Sequence, residues 1–496
     1  MLGGEVGVVA SLHLRRLFRQ LAQDAGHRPE HDDNAACGAG YGLGHVGRKG
    51  FNQHPLLGNE PGGTDRNAGQ AEDVAQTIEQ NRAGETGAGS LQRVEHGGGY
   101  NAWILHFARR NPLMPKISRF SLLAGLFFAA GLVHADIKVG VIASSTGPTA
   151  VVGIPQKNTA TLLPTEIAGQ KIEYVVLDDA SDPTNAVTGV KKLLAEHKVD
   201  ALIGPTTTPA ALAMLDFIAE AKTPLLTTVG SSAVVLPMDE KKKWVFKTTQ
   251  NDDLIAEAVI AHMQSTGIKT VGFVGFNDPY GENWFKVFSA QAEKAGLSIV
   301  ASERYNRTDQ SVTGQVLKLI SARPDAVFIA ATGGPAVLPQ AGLLDKGYKG
   351  KVYQTHGVAT NDFIRLGGKS VEGTLMAGGP MLVADDLPAT NPVKAVAQAY
   401  IKAYEAKYGA GTTSTFGANT WDAGLLLQKA VPEALRKARP GTPEFRLALR
   451  DALERSKEVV GAQGVFNMSA QNHNGMDQRS RVMMTVKGGK WLPLKD

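Results

Sequence analysis

The sequence predicts an α/β fold of two doubly wound lobes with parallel sheets joined by a hinge. Three observations predict it. Short β-branched runs alternate with capped helical segments between residues 137 and 355, the pattern of a parallel sheet covered by helices on both faces. The strands outnumber the roughly five or six that one sheet commonly uses, so two lobes fit better than one. A polar, strand-containing stretch at 237–251 (PMDEKKKWVFKTTQN) and an interruption at 376–388 supply crossings between the halves.

Residues 137–143 (IKVGVIA) and 172–177 (IEYVVL) read as strands. Residues 182–197 read as a helix, with Asp182 placed to cap it, Pro183 at the first helical position and lysines in its last turns. A strand at 201–203, a helix at 209–221 and a strand at 225–228 follow. Next come a helix at 253–266 closed by Gly267, a strand at 270–276 (TVGFVGF), a helix at 280–295 closed by Gly296 and a strand at 297–302. Segments 311–322, 326–330, 335–346 and 352–355 continue the alternation. The helical stretch 391–458 is expected to return to the first lobe, and the tail from 464 to end in the second. Lobe one is therefore expected at 136–250 plus 385–460, and lobe two at 251–384 plus 461–496.

Composition narrows the class. The 496 residues are 43% hydrophobic and 20% charged, with one cysteine, Cys37, and a net charge of +5. Collagen-like, coiled-coil and low-complexity classes are excluded. No apolar run reaches the roughly 18 residues that span a bilayer as a helix. A single cysteine excludes a disulfide framework and a cysteine-based zinc site. The small net charge gives no sign of a nucleic-acid partner.

Residues 1–113 read differently from the rest. They hold 20 Gly, 10 Arg and one Lys, Lys49, against 28 Lys and 11 Arg from Asp136 onward. Their Gly-rich polar stretches cannot offset chain entropy. They read as a disordered leader, or as sequence upstream of a true start at Met114. From there a basic stretch (MPKISR), an apolar run at 120–133 (FSLLAGLFFAAGLV) and Val133-His134-Ala135 form the three parts of a signal peptide, 114–135, cut before Asp136. Aspartate, not cysteine, at that position predicts a product free in the periplasm.

In open parallel sheets ligands sit at the carboxyl ends of strands. The first lobe's ends are 144–148 (SSTGP), 204–209 (GPTTTP) and 227–232 (TTVGSS). Hydroxyls and free amides beside helix N-termini suit a small anion, most simply a carboxylate. Each serine or threonine alone is explained by capping; three such clusters on neighbouring ends point to a site. The candidates are Ser145, Thr208, Val229, Gly230 and Ser231. In the second lobe, 277–281 (NDPYG), 332–335 (TGGP) and 354–357 (QTHG) offer Tyr280, an aromatic face with a hydroxyl, and His356. The chain lacks G-x-G-x-x-G in its first βα turn, a G-x-S-x-G elbow and H-E-x-x-H. No catalytic residue, cofactor or metal is expected.

Segments 137–148 (IKVGVIASSTGP), 177–183 (LDDASDP), 202–209 (LIGPTTTP), 223–231 (TPLLTTVGS) and 277–282 (NDPYGE) resemble the solute-binding proteins of ABC importers, the leucine/isoleucine/valine-binding type of the type I periplasmic binding proteins. The resemblance covers nearly all of 136–496 and none of the first 113 residues. It implies two Rossmann-like lobes on a three-segment hinge, closing on one small molecule. It implies that the Thr208 hydroxyl binds the ligand carboxylate, that the Ser231 hydroxyl and the backbone around Val229 and Gly230 complete that site, and that Tyr280 walls the pocket. The implied partners are a small carboxylate ligand and the membrane subunits of an ABC permease. A monomer is expected, with no nucleic acid.

Three departures bear on the ligand. His356 stands where amino-acid-binding members place a carboxylate against the ligand ammonium, the family's aromatic near 332–334 is missing, and Val152 stands where a tryptophan is common. A buried ammonium without an anion is costly. The ligand is thus a branched-chain or other amino acid, or an aromatic or aliphatic acid without an amino group. An enzyme on a doubly wound fold acting on a small acid and a ligand-sensing module are the alternatives.

Overall fold

A computed structural model describes residues 136–494 of the chain. The leader expected at 1–113 and the signal peptide expected at 114–135 lie outside the described residues. Strands β1 (Ile137–Ala143), β2 (Glu166–Ile167), β3 (Gln170–Asp178), β4 (Ala201–Ile203), β5 (Leu225–Thr227) and β6 (Val245–Lys247) form one sheet in the order β2-β3-β1-β4-β5-β6. All its pairings are parallel except that of β2 with β3. Val141, Ile203, Leu226 and Phe246 lie in register across β1, β4, β5 and β6, so these strands end together on one edge.

Alternation along the strands makes two cores. Val139, Val141, Ile203, Leu226 and Phe246 face one way, and Ile142, Leu202, Leu225 and Val245 the other. Helices α1 (Ala150–Ala160), α2 (Pro183–Lys192) and α3 (Thr208–Ala221) follow β1, β3 and β4. The cap expected at Asp182 is present: its carboxylate accepts from the amides of Thr184 at 2.6 Å and Asn185 at 3.0 Å.

Helix α4 (Asp252–Ser265) opens the second lobe. Strands β7 (Thr270–Phe276), β8 (Ser298–Tyr305), β9 (Ala326–Ala330), β10 (Lys351–Gln354) and β11 (Leu375–Gly378) alternate with α5 (Pro279–Lys294), α6 (Thr313–Ser321), α7 (Val337–Asp345) and α8 (Asn361–Gly367). The stretch expected to be helical at 391–458 is three helices, α9 (Val393–Tyr408), α10 (Thr415–Leu435) and α11 (Pro443–Glu454). Leu426, Leu427, Val431, Phe445 and Leu449 of the last two pack on the first sheet. A short pair, β12 (Val459–Val460) and β13 (Val465–Phe466), follows. Strands β14 (Val482–Lys487) and β15 (Lys490–Pro493) then complete a seven-stranded sheet in the order β15-β14-β11-β10-β9-β7-β8, with the last two antiparallel.

The tail expected in the second lobe from residue 461 first packs elsewhere. Phe466 and Met468 are buried in the first lobe's core, and the chain joins the second sheet only at Val482. Buried amides tie the crossings together. Gln250 Nε2 donates to the carbonyls of Gln463 at 2.9 Å and Ser480 at 2.8 Å. Asn474 Nδ2 donates to the carbonyls of Lys247 at 3.1 Å and Thr249 at 2.8 Å. A Cβ on Gly379 would sit 2.0 Å from Gln463 Oε1, so glycine lets the crossing at 376–388 lie against the other two. Among the described residues no helix is long and apolar enough to cross a membrane.

Candidate ligand site between the strand ends

The carboxyl ends of both sheets face one narrow cavity. Thr206, Thr207 and Thr208 line it after β4, Thr228 and Gly230 after β5, and Thr249 after β6. From the second lobe come Tyr280 after β7, Arg307 after β8, Thr332 after β9, and His356 and Gly357 after β10. Thr149, Val152 and Phe416 complete the wall.

Most first-lobe hydroxyls are committed to holding the loops. Thr206 Oγ1 accepts from the Ser144 amide at 2.8 Å and donates to Gln156 Oε1 at 2.6 Å. Gln156 Nε2 donates to Thr228 Oγ1 at 3.0 Å, which donates to the Pro205 carbonyl at 3.0 Å. Thr249 Oγ1 donates to the Thr228 carbonyl at 2.8 Å. Thr207 caps α3 by accepting from the Ala210 amide at 3.4 Å. Thr208 is the exception. Its Oγ1 is buried without a partner, and it is the first residue of α3, where unpaired amides and the helix dipole favour negative charge. Among the described residues, no protein acceptor takes the amides of Val229, Gly230 or Ser231.

Three expected first-lobe residues do not line the cavity with their side chains. Val229 packs in the core beneath the loop. Ser231 is fully buried and caps the turn Ser232–Val234, accepting from the Ala233 amide at 3.2 Å. Ser145 is half-buried, and its amide donates to Asp178 Oδ1 at 2.9 Å. Asp178 also accepts from Thr146 Oγ1 at 2.8 Å, so the β1 turn is satisfied by its neighbour strand.

The second-lobe half holds the groups with donors and charge. Tyr280 is held by a hydrogen bond of 2.8 Å between its hydroxyl and Thr355 Oγ1. Arg307 donates from Nε to Asp278 Oδ2 at 2.6 Å and from Nη1 to Thr332 Oγ1 at 3.0 Å. Its guanidinium carbon lies 4.2 Å from the Phe276 ring centroid. Asp278 Oδ1 caps α5, accepting from the amides of Tyr280 at 2.8 Å and Gly281 at 3.1 Å.

His356 is buried, and neither ring nitrogen has a partner. Burial, and then the positive charge of Lys247, push its pKa down to about 3, so the ring is neutral near pH 7. Lys247 is itself entirely buried, donating to the carbonyls of Thr249 at 2.8 Å and Gln250 at 2.6 Å. Burial lowers its amine to about 7 against the opposing pull of Asp252 and Asp253.

The lobes meet at Gly230. A Cβ there would lie 3.1 Å from both His356 Nε2 and Tyr280 Cε2. The lobes are therefore closed onto each other here, with the cavity between hydroxyls and amides on one side and Tyr280, Arg307 and His356 on the other. Among the described residues no cluster of side chains is suited to a metal.

Of the seven expected residues, Thr208, Gly230, Tyr280 and His356 line one cavity. Sequence reading missed Arg307, Thr249, Phe416 and Thr149. The strand-end rule could have found the first two, because Arg307 and Thr249 each stand two residues past the end of a strand.

Residues 136–490 match the family model described as periplasmic binding protein. The chain is 27% identical over 360 residues to the Leu/Ile/Val-binding protein BraC3 of Rhizobium johnstonii, covering 69% of this chain and 90% of that protein. Among solved structures, an extracellular ligand-binding receptor from Rhodopseudomonas palustris is 49% identical, with a TM-score of 0.71, over 73% of this chain and all of that one. The branched-chain amino acid binding protein LivJ of Streptococcus pneumoniae, solved with isoleucine, shares the fold at 22% identity and a TM-score of 0.61, over 72% of this chain and 98% of that one.

Proposed function

The chain belongs to the periplasmic binding protein family, and on that premise we propose that it is the solute-binding component of an ABC importer. It captures a small carboxylate between its lobes and hands it to a membrane permease. Binding proteins of this family are not enzymes, and the lining fits capture: it carries hydrogen-bond donors and an aromatic wall. The family works outside the cytoplasm, and the periplasm is the compartment that the sequence at 114–135 suggests. We assign the first lobe to residues 136–250 together with α10, α11 and the segment through Met468, and the second to 251–378 together with β14 and β15.

One observation carries the reading. The Thr208 hydroxyl is buried at the first turn of a helix, unpartnered, and lines the cavity. Left so, a buried hydroxyl costs about 1–3 kcal/mol, and a ligand carboxylate removes that cost. The other lobe then closes and excludes water.

A thermal-shift screen of amino acids against aromatic and aliphatic acids tests it. A ligand at 100 times its Kd stabilises the folded state by about 2.7 kcal/mol and raises the midpoint. A screen in which no small acid moves the midpoint contradicts the reading.

A further inference from the structure

We propose that Arg307, Tyr280 and His356 form a second recognition pole for a ligand hydroxyl, so that the preferred solute is a hydroxy acid carrying one carboxylate and no ammonium group. This rests on the carboxylate reading above and names the class of acid.

The proton bookkeeping of the pole sets its preference. Thr355 Oγ1 donates to the Ala331 carbonyl at 3.0 Å, so the 2.8 Å contact with Tyr280 requires the tyrosine hydroxyl to donate to Thr355. The Tyr280 oxygen is left with acceptor capacity, and the residue lines the cavity. A neutral His356 presents one N–H and one bare nitrogen, both buried and unpartnered. Arg307 spends Nε and Nη1 on Asp278 and Thr332, while Nη2 makes no hydrogen bond to any described residue. The pole thus offers donors and acceptors side by side. A hydroxyl matches both, accepting from Arg307 and donating to Tyr280 or His356.

Charged alternatives fit worse. An ammonium cannot accept a hydrogen bond from Arg307 Nη2. The acidic side chains that bear on the pole are already engaged. Asp278 gives one oxygen to two amides and the other to Arg307. Asp252 accepts from the Ser232 amide at 2.6 Å and from Asn283 Nδ2. A second carboxylate would find no free cation, because Asp278 neutralises Arg307 and Lys247 is bound to two carbonyls. It also could not donate to the Tyr280 oxygen.

Calorimetric titration of the purified protein with matched acids tests this. One set is leucine, isocaproate and leucate, which differ only in an ammonium, a hydrogen or a hydroxyl at one carbon. The other is phenylalanine, hydrocinnamate, phenyllactate and phloretate, which moves the hydroxyl along the skeleton. The expected result is a hydroxy acid tightest in at least one set, by about tenfold over its unsubstituted partner, with the amino acid weakest. In Arg307→Gln, or Arg307→Lys if the first variant does not fold, the ratio between hydroxy and unsubstituted acid falls toward one. An amino acid that binds tightest, hydroxy acids no tighter than plain ones, or a ratio unmoved by both variants overturns the proposal and leaves the carboxylate reading intact. If no acid in either set binds, the carboxylate reading falls with it.

Discussion

Gly230→Ala places one methyl group where the two lobes touch. Its Cβ would stand 3.1 Å from His356 Nε2 and 3.1 Å from Tyr280 Cε2, tighter than the ordinary 3.4–4 Å of van der Waals contact. Neither neighbour can retreat freely. Tyr280 is pinned through Thr355, and His356 is packed beside Trp284 with ring centroids 5.8 Å apart. Overfilling a packed site costs about 1–3 kcal/mol, and here the cost falls on the closed form alone, because the clash lies across the cleft. Affinity drawn from closure should drop about 5- to 150-fold. Titration calorimetry reads the drop, and the melting midpoint without ligand shows whether the lobes themselves remain folded. Gly314→Ala is the control, since a Cβ there meets nothing within 4 Å and α6 lies outside the cavity. An unchanged Kd in Gly230→Ala would refute the idea that binding requires these surfaces to meet.

Two further outcomes follow from the same geometry. Thr208→Val removes a buried hydroxyl that no protein group uses; affinity should fall about tenfold or more while ligand-free stability holds or rises, read by calorimetry and by urea midpoints. For His356, the folded pKa of about 3 lies below the ordinary value of 6.5, so the unfolded chain binds the extra proton. Stability from this group is present above the unfolded pKa and is lost as pH falls between them, by about 2 kcal/mol from pH 7 to pH 5. His356→Gln should therefore narrow the difference between urea midpoints at pH 7 and pH 5, and an equal difference in both proteins would contradict the burial argument.

The layered fold was legible because alternating apolar runs and capped helices repeat with little interruption. The site was legible in part, because strand ends mark it whatever the residues. Arg307 was hidden by a strand read too short. The expected end at 302 stopped before Glu303 and Arg304, yet β8 runs to Tyr305. At the edge of its sheet, with pairing only to β7, it tolerates charged residues on its exposed face. Thr249 lies in a segment read as a polar, strand-containing crossing, and the end of that strand, β6, was not taken as a site. Phe416 stands at the start of α10, inside a stretch read as one helical unit. Ser145 and Ser231 stand at strand ends as expected but off the cavity lining: the Ser231 oxygen accepts from the Ala233 amide, and the Ser145 amide donates to Asp178.

The most direct measurement is a crystal structure of the protein with the tightest small acid found by titration. The account predicts a carboxylate within about 3 Å of Thr208 Oγ1, with the amides of the 229–231 loop turned to it and the rest of the solute against Tyr280. A bound acid whose carboxylate lies away from Thr208, or outside the space between the two sheets' carboxyl ends, would contradict it.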